Sequence, residues 1–473
     1  MGREIMKILI FGTGDYYNRY KKWLEEKDVL ALVDNDKQKI GTMMDGKLII
    51  APFEIKKYEF DYILILSFCY LDMKNQLLEY GVEDYKILHF YTLRRIIDWR
   101  KSPKALTVRA QTLEHSSEGK KKILLLSPEL NNGGPAIALF HCAKTLKKNH
   151  YEVTVVSMID GELSEKYRRE NIPVIIDFNL QLSTMVEEPW MNMYDCIFCN
   201  TINFHVFLSE RITSIPCIWW LHDSSFFYEG VNKTVISNIS TENLFVFSVG
   251  DIPKAAIKTF LPELNVEELL YGTIWKQSGK KAAGKRRIVR FITIGLLEEI
   301  KGQDVLFSSV RKIYSKIKDE TEFCIVGRDD TLFAKQLKEE YKDIQNVKFT
   351  GILNREELHK YIENSDVLIC PSRQDSMPTV VAEAMMHSKP CIVSDSVGTA
   401  KYISNGVEGL IFETDKIEDL ADKIQWCVEN REKLCWMGKQ AERLFEKKFS
   451  MSAFQRNLLS IMEGIEPYIK KER

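Results

Sequence analysis

Short apolar runs rich in Val, Ile, Leu and Phe recur along the chain, each followed by a turn and then by a stretch with amphipathic helical spacing. Three segments open this way: "KILIFGTG" at 7, "KKILLLSPELNNGG" at 121 and "RFITIGLLEEIKG" at 290. In the second, the strands read "ILLLS", "EVTVVSM", "PVIID", "CIFCN", "CIWWLHD" and "LFVFSVG". In the third they read "VRFITIG", "EFCIVG", "VKFTG", "DVLICPS", "KPCIVSD" and "GLIFE". Strands alternating with helices predict βαβ units around parallel sheets, an α/β fold. The polar or basic stretches "HSSEGKKK" at 115–122 and "KQSGKKAAGKRR" at 276–287 read as linkers. The expected units are residues 1–115, 120–275 and 285–450, then a helix within 451–473 capped by Ser450. Two successive α/β domains leave a crevice at the carboxyl ends of their strands, where a ligand is expected.

Composition narrows the classes. At 473 residues the chain is too long for one core. It is 45% hydrophobic and 28% charged, as expected of a soluble globular protein. A net charge of −1 argues against a nucleic-acid binder. The opening "MGREIMKILIFGTG" has too short an apolar run for a signal peptide, and no apolar stretch reaches the length of a membrane span. A cytoplasmic location is expected. The ten cysteines sit mostly in apolar contexts and read as reduced, buried thiols. Cys196 and Cys199 form a CxxC inside an apolar strand pattern without a second ligand pair, so packing is expected rather than a metal.

Candidate chemistry gathers in "PSRQDSMPTVVAEAM", residues 371–385. Asp375 falls in a loop and Glu383 in the first turns of the next helix, whose free N–H groups suit a phosphate or a sugar hydroxyl. A carboxylate accepts two hydrogen bonds, so Glu383 could grip the vicinal hydroxyls of a ribose and Asp375 those of a second sugar. Taken alone, the two acids could equally complement the helix dipole.

The run around them resembles the donor-binding domain of the family 4 glycosyltransferases, retaining enzymes of the GT-B fold, with two Rossmann-like domains facing a cleft. Matching positions are Pro371, Ser372, Pro378, Glu383, Ala384, Met385, Pro390, Ser394, Asp395, Gly398, Gly406 and Gly409. Asp375 stands where the family's E-x7-E motif has its first glutamate. "GLLEEIKG" keeps Gly295, Lys301 and Gly302 of a second family element, with Leu296 in place of its arginine. The resemblance implies that Lys301 neutralises the donor diphosphate, with Arg328 or Arg373 supplying further contact and Ser376 and Met377 lining the donor site. It also makes Gly133 and Gly134 the glycine loop whose amides approach the phosphates, and His222 of "IWWLHD" a group beside the transferring sugar. Residues 120–275 become the acceptor-side half, on which the last helix packs, and 285–450 the donor half.

The implied activity is metal-independent transfer of a sugar from a nucleotide-diphosphate sugar to a hydroxyl acceptor, with no cofactor and with Lys301, Asp375 and His222 as catalytic groups. The acceptor expected by family is a glycan or lipid-linked glycan of bacterial surface polysaccharide. The alternatives are a nucleotide-sugar epimerase on the same fold and a non-catalytic scaffold.

The front unit reads as a Rossmann-like domain. "ILIFGTGDYYNRY" has Gly12 and Gly14 but Tyr17 at the third glycine of a dinucleotide fingerprint, and "VLALVDND" ends in Asp34 and Asp36. It resembles domains that accompany bacterial sugar-modifying and sugar-transferring enzymes. Docking or homo-oligomerisation is its expected role, with nucleotide binding as the alternative. "LRRIIDWRKSPKALTVR" at 93–109 interleaves basic residues with Leu93, Ile96, Ile97 and Trp99, which suits either an anionic membrane surface or a basic linker helix.

Overall fold

The computed structural model describes residues 7–21, 28–67, 70–89, 120–177, 180, 189–228, 231, 233–274 and 288–469. Both linkers, apart from 120–122, and the basic stretch at 93–109 lie outside these.

Three sheets follow one another. The first orders β1 (Lys7–Phe11), β2 (Asp28–Val33), β3 (Met43–Met44), β4 (Lys47–Ile50), β5 (Tyr62–Ile65) and β6 (Ile87–His89) as β3-β4-β2-β1-β5-β6. Its pairs are parallel except the β3–β4 hairpin at the edge. Helices α1 (Asp15–Tyr20) and α2 (Tyr70–Glu79) belong to it.

The second sheet contains β7 (Lys122–Ser127), β8 (Glu152–Ser157), β9 (Val174–Ile176), β10 (Cys196–Asn200), β11 (Cys217–Leu221), β12 (Leu244–Ser248) and β13 (Val266–Glu268). Their order is β13-β12-β11-β10-β7-β8-β9, and all pairs are parallel. Its helices are α3 (Gly134–Lys148), α4 (Leu163–Arg169), α5 (His205–Ser209), α6 (Lys233–Ser237) and α7 (Asp251–Lys258).

The third sheet orders β14 (Val289–Ile294), β15 (Thr321–Val326), β16 (Val347–Gly351), β17 (Val367–Cys370), β18 (Cys391–Ser394) and β19 (Gly409–Phe412) as β16-β15-β14-β17-β18-β19. Its helices are α8 (Gln303–Ile317), α9 (Leu332–Glu340), α10 (Arg355–Asn364), α11 (Thr379–Met386), α12 (Ile417–Glu429) and α13 (Arg431–Lys448). The strand order reverses at β14/β17, so the loops leaving those two strands flank the switch point where ligands bind such sheets.

Side chains along a strand alternate between faces, and here successive residues enter different cores. Leu9 and Phe11 of β1 pack within the first domain, while Ile8 and Ile10 join a cluster shared with Leu124 and Leu126 of β7. Ile123 and Leu125 face the other way, into a cluster that includes Ile292 of β14 and Val381 of α11. Phe291 lies in a further cluster belonging to the third domain. Apolar layers thus run without a break from the first sheet to the third.

The same alternation settles the CxxC. Cys196 points into one cluster and Cys199 into another, so the two thiols are not presented to a common ligand. Among the described residues all cysteines are free.

After α13 the chain crosses back. Thr273 N–H donates to Phe449 O at 2.9 Å, and Ser450 Oγ accepts from Ala453 N at 3.2 Å. This caps α14 (Met451–Ile465), whose Phe454 stacks on Trp220 of β11 with ring centroids 5.7 Å apart. No helix among the described residues is long and apolar enough to cross a membrane.

Candidate active site

The loop after β14 ends in a short 3-10 turn, Glu299–Lys301, closed by Gly302 at φ 67°. A Cβ on Gly302 would stand 2.0 Å from the Pro371 carbonyl oxygen, so only glycine lets this turn reach the loop after β17. The approach brings Lys301 Nζ to 2.7 Å from Asp375 Oδ2. Burial alone would lower the lysine pKa, but the Asp375 carboxylate outweighs it and holds the ammonium above its usual range. Gly295 lies against the stem of Lys301, its would-be Cβ 3.9 Å from Cδ.

Loop 371–378 continues into α11. Asp375 O accepts from Gly398 N at 2.9 Å, which ties the loop to the turn after β18. Tyr271 Oη, arriving from the second domain, donates to Met377 O at 3.1 Å. Burial, then the Asp375 and Glu383 carboxylates, hold that phenol well above its usual pKa, so it stays a neutral donor beside both acids. Glu383 itself is 2% exposed. Burial raises its pKa while Arg355 opposes the rise, Nη1 donating to Oε1 at 2.7 Å.

The facing domain closes over this loop. Gly133 caps α3, and a Cβ on Gly134 would lie 3.8 Å from Thr379 Cγ2 at the start of α11. The glycine loop therefore meets the free N–H groups of the α11 N-terminus. Gln374 Nε2 donates to Ser225 Oγ, joining the Asp375 loop to the loop that carries His222. His222 is buried against Trp220, ring centroids 4.3 Å apart, and burial lowers its pKa to about 3, leaving a neutral imidazole. Next to it, burial pushes the Asp223 carboxyl up to about 6 against the backbone N–H groups of Ile202, Asp223 and His222.

Among the described residues, fourteen buried side-chain polar atoms have no hydrogen-bond partner; three of them, His222 Nε2, Ser376 Oγ and Thr399 Oγ1, belong to the loops that meet at this seam. Buried polar groups are normally satisfied, so these three leave hydrogen-bonding capacity at the seam. No three His, Cys, Asp or Glu among the described residues form a metal-binding cluster.

Lys301, Asp375, Ser376, Met377, Gly134 and Glu383 are thus gathered at one interdomain seam. The arginines are engaged elsewhere. Arg373 donates to Asp304 Oδ1 at 2.9 Å and Oδ2 at 2.6 Å, its Nε lies 2.7 Å from Asp415 Oδ1, and Nη1 also reaches Glu299 O. Arg328 donates to Asp330 Oδ1 at 2.7 Å on the surface. Arg355, Tyr271 and Thr399 were not among the residues expected from sequence. Arg355 had only the "NREE" helix start as a signal, where Asn354 and Glu357 form a capping box. In the first domain, Asp34 is satisfied internally: Thr13 N at 3.2 Å, Thr13 Oγ1, Asp36 N at 2.9 Å and Lys39 Nζ at 3.3 Å all donate to it.

Comparison with known proteins bears on the fold and on the family of the third domain. The family profile "Glycosyl transferases group 1" matches residues 274–444, and "C2185-like, N-terminal" matches residues 4–88. A curated relative, the N,N'-diacetylbacillosaminyl-diphospho-undecaprenol alpha-1,3-N-acetylgalactosaminyltransferase of Campylobacter jejuni, is 28% identical over 186 residues, 39% of this chain and 46% of the relative. A second, the UDP-Gal:alpha-D-GlcNAc-diphosphoundecaprenol alpha-1,3-galactosyltransferase of Escherichia coli, is 28% identical over 144 residues, 30% of this chain and 36% of the relative. The chain thus spans less than half the length of either. Among solved structures, Anabaena Alr3699/HepE in complex with UDP and glucose superposes with a TM-score of 0.59 at 18% identity, over 73% of this chain and 100% of that one. WaaG, a glycosyltransferase involved in lipopolysaccharide biosynthesis, superposes with a TM-score of 0.53 at 13% identity, over 72% of this chain and 99% of that one. The chain therefore has the GT-B fold, with an appended Rossmann-like front domain, and its residues 274–444 form a domain of the group 1 glycosyl transferases.

Proposed function

We propose that the protein is a retaining glycosyltransferase that moves a sugar from a nucleoside-diphosphate sugar to a hydroxyl acceptor. The observation that carries this reading is the Lys301–Asp375 pair at the β14/β17 switch point, closed over by the Gly133-Gly134 loop. The bond from the anomeric carbon to the β-phosphate oxygen breaks, and the departing diphosphate gains negative charge. Lys301 and the amides of the glycine loop and α11 would face that charge, fixed donors already aimed at it. The acceptor oxygen bonds to the anomeric carbon, and its proton passes to the leaving phosphate oxygen. Asp375 orients the sugar, Glu383 takes the ribose hydroxyls, and Ser376 Oγ and neutral His222 offer further hydrogen bonds.

A solved structural neighbour is in complex with UDP-glucose, and the names of two relatives give undecaprenol-diphosphate acceptors; both support a nucleotide donor and a lipid-linked acceptor. We place the protein in bacterial surface-polysaccharide assembly, acting at the cytoplasmic face of a membrane. One observation favours a second reading, a donor-binding scaffold without transfer: Leu296 replaces an arginine, and Arg328 and Arg373 are bound to carboxylates.

Incubation with a panel of nucleotide sugars, following release of the nucleoside diphosphate, separates these readings. Release that rises with an added glycan or polyprenyl-diphosphate acceptor is the expected result. Thermal stabilisation by a nucleotide without release would favour the scaffold, and interconversion of the sugars without release would point to an epimerase.

A further inference from the structure

Beneath the seam, α10 and α11 face each other along a ladder of polar side chains. Arg355, His359 and Glu363 recur every four residues on α10, and Glu383 and His387 do so at the end of α11, so each set lies on one helical face. Arg355 Nη1 lies 2.7 Å from Glu383 Oε1, His359 Nδ1 lies 2.8 Å from His387 Nε2, and His387 Nδ1 lies 3.7 Å from Glu363 Oε1. At the first rung the Arg355 side chain is 57% exposed and the Glu383 side chain 3%.

We propose that Arg355 is a positioning residue for the donor site, holding the Glu383 carboxylate ionised and turned so that one oxygen meets the guanidinium and the other meets the ligand. This rests on the reading of Glu383 as the group that takes the nucleotide ribose. Among the described residues Arg355 is the side chain that donates to the carboxylate, through Oε1. A carboxylate buried this deeply is costly unless paired, and removing its partner leaves that cost uncompensated.

The neighbouring groups cannot replace Arg355. His359 is held at a pKa of about 3 by burial, then by His387 and Arg355, and burial lowers His387 as well, so the second rung is neutral around pH 7. Tyr271, on the second-domain side, is a neutral phenol. Lys389 Nζ, beyond the end of α11, donates to the carbonyls of Glu363 and Ser365, and Glu442 of α13 accepts from Ser388 Oγ. Burial already raises the Glu383 pKa with Arg355 in place, so loss of the guanidinium raises it further. The acid that must be charged to accept two hydroxyls would then bind a proton at higher pH, and affinity would fall on the acid side first.

The test is binding of UDP, GDP, ADP and dTDP by calorimetry between pH 5.5 and 8.5, together with melting temperature, for the wild type, Arg355→Gln, Arg355→Lys, Glu383→Gln and the double variant Arg355→Gln/Glu383→Gln. For whichever diphosphate the wild type binds, Arg355→Gln should bind up to about tenfold more weakly per unit of pKa shift at the acid end. The deficit should shrink toward pH 8.5, leaving only the smaller part due to lost orientation of the carboxylate. Arg355→Lys should recover part of the loss, and the double variant should match Glu383→Gln, because the two residues act as one unit. If Glu383→Gln binds like the wild type, or none of the four diphosphates binds the folded wild type, the ribose reading fails and this inference falls with it. If Glu383→Gln weakens binding while Arg355→Gln keeps the wild-type pH profile, or weakens binding equally at every pH, the positioning role alone is overturned.

Discussion

At the residue scale, the decisive substitution is Asp375, which stands one methylene short of the glutamate the resemblance led us to expect. The structure gives the shorter side chain a full partner in Lys301, so the cation is drawn to the acid. Asp375→Ala should leave Lys301 without its ion partner and the sugar without its anchor, lowering kcat/KM by roughly the 10²- to 10³-fold typical of one lost transition-state contact. Asp375→Glu should cost less than tenfold if reach is unimportant. Steady-state kinetics with a competent donor decide this, and an Asp375→Ala variant of unimpaired turnover would remove Asp375 from the catalytic set. Glu383 and Lys301 could be picked out as candidates from sequence because each sits in a run of matching positions. Arg355 was not, because an arginine on the first turn of an exposed amphipathic helix reads as a solvated residue until the partner helix is in view. Arg373 could be picked out as a candidate from its place in the loop, but its ion partners Asp304 and Asp415 could not, because they lie far from it in sequence.

Two glycines separate folding from function at the scale of the element. Gly302 is required by the backbone, since its φ of 67° is left-handed and its Cβ would strike the Pro371 carbonyl. Gly302→Ala should lower the melting temperature by several degrees, about 1–2 kcal/mol coming from the left-handed conformation before the clash is counted. Gly134 is not required by packing: a methyl there meets nothing closer than Thr379 Cγ2 at 3.8 Å, ordinary van der Waals contact, so a demand for glycine at this position would come from the proposed donor. Gly134→Ala should therefore melt within about a degree of the wild type, yet bind the donor at least about tenfold more weakly, because a methyl occupies the approach of the phosphates. Melting curves and donor titration on both variants check the contrast, and equal donor affinity in Gly134→Ala would detach the loop from the diphosphate. The elements themselves were readable from alternating apolar strands and amphipathic helices. The register that brings residue 302 under residue 371 was not, because it depends on which strands become neighbours.

For the whole molecule, three α/β domains were visible in the sequence, while their docking was not. A strand buried on both faces has the same apolar pattern whether its second face is covered by its own helices or by another domain. The structure supplies the cover in both places, with one shared apolar cluster between the first and second sheets and another between the second and third. Around the second seam lies a polar clasp: Lys401 Nζ reaches Asp251 at 2.9 Å and Glu268 at 2.8 Å, and Tyr402 Oη donates to the same glutamate. Half-exposed pairs of this kind contribute about 0–1 kcal/mol each, far less than the apolar contact beside them, so the clasp biases closure without causing it. Lys401→Met should enlarge the radius of gyration of the ligand-free protein at low salt and raise the donor KM a few-fold, with kcat nearly unchanged. High salt should produce the same expansion in the wild type and add little in the variant. Small-angle scattering at two ionic strengths reads this directly, and identical salt-independent profiles for both proteins would mean that the apolar seam alone holds the domains shut.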